Sequence, residues 1–297
     1  MLRVGPTPIY SITPVHLTTV HVERSVAVAD RTTGQSPASG LWIIAAFGMF
    51  VADLWLHLPI TDFCDALVKK VGWVPYDTFL RRGFLGLGVV TVVIAAVWPR
   101  RRNLVTTAGV AALFGAALLA QRFILVAGIE NIHYPQYALV ALLLLRGGVR
   151  PELGFLIAAG LGALDETYQF TALPRGRPTY FDWNDVVLNT LGAAFGVVLG
   201  RLFMRANLRH TLVPTRRVMG VIGVALLVGL IAAPPMRAPF FTVTPGGREF
   251  HQLVASEAVL ILGCLWMGMR AMLSADNGAV HPLQAPSSRR PSAAAVR

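Results

Sequence analysis

The sequence predicts an all-α fold, a polytopic transmembrane helical bundle of about eight spans. Of its 297 residues 55% are hydrophobic and only 14% are charged, and the mean hydropathy of +0.59 lies outside the range of soluble domains. Apolar stretches of nearly 20 residues also recur along the chain, as membrane spans do. Cys64 and Cys264 belong to no CxxC or Cys/His cluster. Neither a disulfide framework nor a zinc site is therefore indicated.

Eight apolar stretches come close to the roughly 20 residues that cross about 30 Å of hydrocarbon. The boundary after the third stretch is the least distinct, because another apolar run follows Gln121 and Arg122 at once. The polar, proline-containing segment 1–40 predicts a flexible cytosolic arm, and the Ala, Pro, Ser and Arg of 274–297 predict a disordered cytosolic tail. The approximate limits of the stretches are 41–58, 83–98, 104–121, 131–146, 153–170, 186–204, 218–233 and 253–273.

The basic residues predict the orientation of these spans. With the N-terminus in the cytosol, alternation of sides places most of the 26 basic residues in cytosolic segments and most of the 15 acidic residues outside. This distribution obeys the positive-inside rule. The net charge of +11 then reflects topology and attraction to anionic membrane lipids, so no nucleic-acid partner is predicted. We expect a multi-pass protein of the inner (cytoplasmic) membrane with both termini in the cytosol.

A polar run at the end of the fifth span predicts a functional site. Asp165, Glu166 and Gln169 share one helical surface by their i, i+3 and i+4 spacing. Charged groups inside hydrocarbon cost up to ~3 kcal/mol each, so a cluster of them indicates function. In the proline-flanked turn that follows, Arg175 and Arg177 place two guanidiniums near these acids. They either form salt bridges with the acids or clamp a lipid phosphate.

The sixth span carries a stripe that is polar at its outer part and glycine at its inner part. Asp185, Asn189, Gly192, Gly196 and Gly200 lie at steps of three or four residues, which places them on one face of a helix. The glycine spacing is typical of membrane helices that approach closely. The stripe therefore predicts helix packing at the glycines, with Asp185 and Asn189 held inside the bundle. There they serve either as part of the site or as an interhelical hydrogen bond that fixes packing.

The fourth span opens with a polar face at the same membrane level. Glu130, His133 and Tyr137 share it by spacing. Glu130 and His133 fit a general acid/base pair, a pair of metal ligands or a pH-sensitive hydrogen bond. No metal-ligand spacing supports the metal, and no cofactor is predicted. In the first span, Asp53 and His57 at i, i+4 are interpreted as local structural partners.

Taken together, these residues resemble the VanZ-like family of bacterial integral membrane proteins. The resemblance covers 104–206 as a four-helix core, and leaves two additional transmembrane helices in 41–98 and two in 217–273. This chain departs from the family pattern in Arg175, where the family more often has proline or an apolar residue, and in an extra carboxylate, Asp182. The matching elements are Glu130-x-x-His133-x-x-x-Tyr137, Asp165-Glu166-x-x-Gln169, Gly176-Arg177 and Asp185-x-x-x-Asn189-x-x-Gly192-x-x-x-Gly196.

The resemblance implies a cell-envelope role connected with teicoplanin resistance, and no established reaction. The first hypothesis is a protein that binds or handles a lipid or a lipophilic glycopeptide at an outward-facing polar site. The alternative is an integral-membrane enzyme acting on a lipid headgroup, with Glu130 and His133 as acid and base and Asp165 or Glu166 as partner; no nucleophile motif accompanies them. A transporter is disfavoured, because the charged residues lie at the interface and no inverted repeat is evident.

Overall fold

A computed structural model describes residues 37–97, 104–173, 181–204, 242–244 and 247–278. Within these residues the chain forms seven α-helices, one 3₁₀ turn and one short β-hairpin. The predicted span 218–233, the loop with Arg175 and Arg177, and most of the predicted arm and tail lie outside the described residues.

Up to α6 the elements follow one another closely in the sequence, and residues 205–241, between α6 and the hairpin, lie outside the described residues. The 3₁₀ turn Gly128–Ile132 runs directly into α4, and the antiparallel hairpin of β1 (Thr242–Val243) and β2 (Glu249–Phe250) precedes the last helix. The helices are α1 Pro37–Val71, α2 Trp73–Val97, α3 Leu104–Phe123, α4 His133–Arg146, α5 Pro151–Ala172, α6 Trp183–Phe203 and α7 Ala255–Gly278.

Five of these helices, α1, α2, α3, α6 and α7, are long and apolar enough to cross a membrane. The 14 residues of α4 extend about 21 Å at 1.5 Å per residue, which is less than the ~30 Å of a bilayer core. The predicted span 131–146 therefore forms a helix, α4, that is too short to cross a bilayer core. The predicted span 153–170 forms α5, which at 22 residues is long enough but is not among the helices apolar enough to cross a membrane. The described residues are mostly helical and compatible with a multi-pass membrane protein.

The first two helices differ from their predicted limits. The span predicted to end at 58 continues in α1 through Pro59 to Val71, and α2 begins at Trp73 rather than at 83. Lys69 and Lys70 accordingly belong to a helix and not to a loop. The reason is that hydropathy marks where the apolar stretch ends, whereas backbone hydrogen bonding continues through polar residues. Only Gly72, at a φ of +87°, turns the chain between the two helices.

Helix α6 lies at the centre of the bundle, and its main neighbours are α4 and α5. Nearly every one of its residues is buried, whereas α1 and α2 expose apolar side chains such as Trp55, which is 83% exposed. The glycines of α6 lie against α4, because a Cβ on Gly192 would be 2.7 Å from the His133 carbonyl oxygen and one on Gly196 would meet the carbonyl of Ala138. This close approach brings the polar residues of α4 and α6 together.

Candidate functional site

A cluster of buried and half-buried polar side chains lies where α4, α5 and α6 meet, with one residue added from α1. We call this cluster the polar seam. Its members come from four helices, and all but one of them belong to the set of site residues predicted from the sequence. The polar seam consists of Asp53, His133, Tyr137, Asp165, Glu166, Gln169, Asp185 and Asn189.

Between α4 and α6, an imidazole faces a carboxylate. His133 Nε2 lies 3.5 Å from Asp185 Oδ2, and His133 is only 8% exposed. One turn further along α6, the fully buried Asn189 donates from Nδ2 to the carbonyl oxygen of Gly162 at 3.3 Å. A Cβ on Gly162 would lie 2.5 Å from the Cβ of Asn189. The absence of a side chain at Gly162 therefore lets α5 approach the polar stripe of α6.

The acids of α5 are both buried, although they are adjacent in sequence. Asp165 and Glu166 are each 2% exposed, because α5 packs against both α4 and α6. Tyr137 Oη donates to Asp165 Oδ2 at 3.2 Å, and Gln169 Nε2 donates to Glu166 Oε1 at 3.2 Å. Gln169 therefore lies beside the acids as predicted, and Tyr137 links α4 to one of them, Asp165.

Asp53 on α1 is a member of the seam that the sequence interpretation missed. It interacts electrostatically with Asp165 and His133 and with the side chain of Gln136, so its partners extend well beyond His57. The expectation of a purely local pair is therefore incomplete. An acid in the middle of an otherwise apolar span is costly and indicates function. That rule, applied to Asp53 as it was to the fifth span, would have found it.

Several polar atoms of the seam have no hydrogen-bond partner among the described residues. All five atoms are buried. Three are carboxylate oxygens and one is an amide oxygen, each without a hydrogen-bond donor, and the fifth is an imidazole nitrogen. Leaving such a group unsatisfied costs about 1–3 kcal/mol, and native proteins contain few of them. The atoms are Asp53 Oδ2, His133 Nδ1, Asp165 Oδ1, Asp185 Oδ1 and Asn189 Oδ1.

A second polar cluster, which we call the terminal network, lies where α3 and the 3₁₀ turn meet the start of α6. Two arginines converge there on the same backbone carbonyls. Arg81 donates to Gln121 O at 3.0 Å and to Val126 O at 3.3 Å, and Arg248 donates to Gln121 O at 2.8 Å and also to Leu125 O. The terminal network consists of Asp77, Arg81, Gln121, Glu130, Asn131, Asp182, Asn184 and Arg248.

Glu130 belongs to this network, and it also interacts electrostatically with His133. Its two carboxylate oxygens accept from the backbone N–H groups of Val126, at 2.8 Å, and Ala127, at 3.1 Å. Burial, with the negative charges of Asp185 and Asp182 nearby, raises the pKa of Glu130 well above its ordinary value. The geometry thus makes Glu130 an anchor of the 3₁₀ turn, and His133 takes Asp185 as its carboxylate partner.

Asn184 holds the start of α6 to two distant segments. Its Nδ2 donates to Ile124 O at 2.7 Å and to His251 O at 3.1 Å, and its Oδ1 accepts from Leu253 N at 2.8 Å. Both N–H donors of the Asn184 amide and its oxygen therefore have partners in these segments. No motif in the sequence marked Asn184, because its partners lie 60 or more residues away along the chain.

The two neighbouring acids of α6, Asp182 and Asp185, have different positions. Asp182 is the N-cap of the helix and accepts from Asn184 N at 2.9 Å and from Gln252 Nε2 at 3.0 Å. Burial, followed by the charge of Asp185, raises the pKa of Asp182 to about 7. Asp185 instead faces His133 in the seam. The structure therefore places Asp185 in the candidate site and Asp182 in the terminal network.

Among the described residues, no group of three or more His, Cys, Asp or Glu side chains is arranged to hold a metal ion. Comparison of the chain with family models, with curated proteins and with solved structures finds no match.

Proposed function

We propose that this chain is a VanZ-like membrane protein of the bacterial cell envelope that binds the polar head of a lipid or lipophilic glycopeptide in the polar seam. The observation that carries the proposal is the set of five buried polar atoms in the seam without partners. If the cluster served packing alone, hydrogen bonds from other side chains to these atoms would make the fold more stable. A ligand with hydrogen-bond donors would complete it.

Membrane lipids are the natural source of such a ligand. Helices α1 and α2 expose apolar side chains over most of their length, and one of them contributes Asp53 to the seam. The proposed topology has about eight spans in the inner membrane and both termini in the cytosol. With that orientation the seam lies toward the outer face, where an envelope amphiphile is accessible.

A binding experiment with paired variants tests this proposal. The purified full-length protein in detergent is titrated with dioleoyl phosphatidylethanolamine, dioleoyl phosphatidylglycerol or teicoplanin, and bound molecules are counted by native mass spectrometry. The double variant Asp165→Asn/Asp185→Asn removes two seam carboxylates but keeps their shape. Asp62→Asn makes the same chemical change at an exposed position of α1.

We expect at least one of these amphiphiles to bind the parent protein and Asp62→Asn alike, and the double variant about tenfold more weakly or worse. The weaker binding follows from the loss of charge-assisted hydrogen bonds. Equal binding of every amphiphile by all three proteins would show that contacts are made elsewhere on the surface, and would end the proposal.

A second candidate function is an enzyme that acts on a lipid headgroup. The observation in its favour is that the imidazole of His133 has a carboxylate at Nε2 and a buried, unpartnered Nδ1. A carboxylate that orients one ring nitrogen leaves the other able to act as a general base. Incubation with headgroup-labelled lipids tests this function. An enzyme of this kind would convert a labelled lipid to a product, and the His133→Gln variant would not.

A further inference from the structure

Carboxylates outnumber basic groups in the seam. Among the described residues, two basic side chains accompany these carboxylates: His133, and His57 beside Asp53. The carboxylates are those of Asp53, Asp165, Glu166 and Asp185. Burying ionised carboxylates without compensation costs several kcal/mol per ion. The seam therefore favours a ligand that brings positive charge, and it disfavours an anionic group.

The unpartnered atoms specify the kind of cation. When the aspartates are ionised, their carboxylate oxygens accept hydrogen bonds and donate none. This applies to Asp53 Oδ2, Asp165 Oδ1 and Asp185 Oδ1, and the amide oxygen Asn189 Oδ1 is always an acceptor. A primary ammonium supplies three N–H donors, one positive charge and no acceptor. A quaternary ammonium has no N–H and is recognised by aromatic faces, whereas Tyr137, the aromatic residue of the seam, uses its hydroxyl on Asp165.

Asn189 is an independent indication of a ligand. Its side chain is fully buried, and its Nδ2 is fixed on the carbonyl of Gly162, so its Oδ1 is held in one direction. Asp185 precedes Asn189 by one helical turn on α6, and Asp165 follows Gly162 by nearly one turn on α5. The amide oxygen and the two carboxylates therefore border the same α5–α6 space.

We infer that the polar seam takes a primary ammonium group carried by a membrane amphiphile, with Asp53, Asp165 and Asp185 as its counter-anions and Asn189 as a neutral acceptor. This inference rests on the proposed function and specifies its ligand. Helix α1 packs chiefly against α4 and touches α5 at few positions, so Asp53 reaches the seam from the α4 side.

Three lipids with the same two oleoyl chains test the ammonium assignment. Their binding to the full-length protein is measured by native mass spectrometry or by a thermal-shift titration. Phosphatidylethanolamine has the primary ammonium, phosphatidylcholine keeps the charge but has no N–H, and N-acetyl phosphatidylethanolamine has lost the charge. Free ethanolamine is added as a competitor, to distinguish a lipid headgroup from a soluble amine. Asp53→Asn and Asp165→Asn are compared with the surface control Asp62→Asn.

We expect phosphatidylethanolamine to bind at least tenfold more tightly than either analogue. Asp53→Asn and Asp165→Asn should each reduce this preference, while Asp62→Asn keeps it. Comparable seam-dependent binding of all three lipids would overturn the ammonium assignment and leave the proposed function standing. Competition by free ethanolamine as effective as the lipid would support the ammonium site but contradict an amphiphile as its source. Failure of every lipid to bind in a seam-dependent way would overturn both.

Discussion

The polar seam and the terminal network both include residues from the first two turns of α6, but they differ in how many of their buried polar atoms have hydrogen-bond partners. In the terminal network Asn184 makes three hydrogen bonds to other segments, and no buried side-chain polar atom of the network lacks a partner among the described residues. In the seam Asn189 makes one such bond and leaves its Oδ1 unpartnered.

Under the proposed function, this difference distinguishes polar groups that stabilise the fold from polar groups that bind a ligand. A fully satisfied buried network rigidifies a fold, whereas a partly satisfied one costs stability. The terminal network fixes the end of α3 and the start of α6 to the segment before α7. We expect the seam to lower the stability of the same bundle, as the proposed binding site would require.

Paired leucine substitutions at the two buried asparagines should give the largest contrast. Asn184→Leu leaves two carbonyls and one N–H without partners, and we expect a loss of about 4 kcal/mol in the free energy of unfolding. Asn189→Leu removes one hydrogen bond but also one unsatisfied oxygen, so its loss should be about 1 kcal/mol. Denaturant titration in mixed micelles measures both, and losses of equal size would break the comparison.

The seam depends on the close contact of α6 with α4. Gly196→Val places a side chain against the Ala138 carbonyl, and we expect a loss of about 3 kcal/mol in the free energy of unfolding. Gly115→Val on α3 is the matched control, because a Cβ there meets nothing within 4 Å. Its effect should stay within about 0.5 kcal/mol, and similar losses in both variants would contradict the packing described here.

Leucine substitutions at two aspartates should change the free energy of unfolding in opposite directions. Asp77 pairs with Arg81 Nε at 2.7 Å and accepts from Gly128 N at 2.5 Å, so Asp77→Leu should lower the free energy of unfolding by about 2 kcal/mol. Asp53→Leu removes an unsatisfied carboxylate oxygen and should raise it by about 1 kcal/mol, while ligand binding is lost. A destabilising Asp53→Leu would mean that Asp53 serves structure.

The last expected effect is a pH dependence from the terminal network. Because the pKa of Asp182 is raised to about 7, the folded state binds its proton more tightly than the unfolded state does. Its contribution to stability is therefore full below about pH 4 and is lost as the pH rises through 7. The melting temperature should fall between pH 5.5 and pH 8, and Asp182→Asn should reduce that fall. An unchanged pH profile in Asp182→Asn would exclude this assignment.

Much of the candidate site could be predicted from local spacing. His133, Tyr137 and Asp165 come together as the helical periodicity and the order of the helices predict. The carboxylate of Glu130 accepts from backbone N–H groups and closes the 3₁₀ turn before α4, which the helical spacing did not predict. Arg175 and Arg177 lie outside the described residues, so their pairing remains a prediction.

The sequence by itself determined the apolar helices, the glycine face of α6 and the positions at which polar groups enter the bundle. These are properties of composition and helical period, which act within one helix. The tertiary structure decided the partners: Asp185 rather than Glu130 for His133, Asp53 as a member of the seam, and Arg248 on the carbonyl of Gln121, 127 residues away. Such pairings depend on how helices pack against one another, and no local periodicity records that.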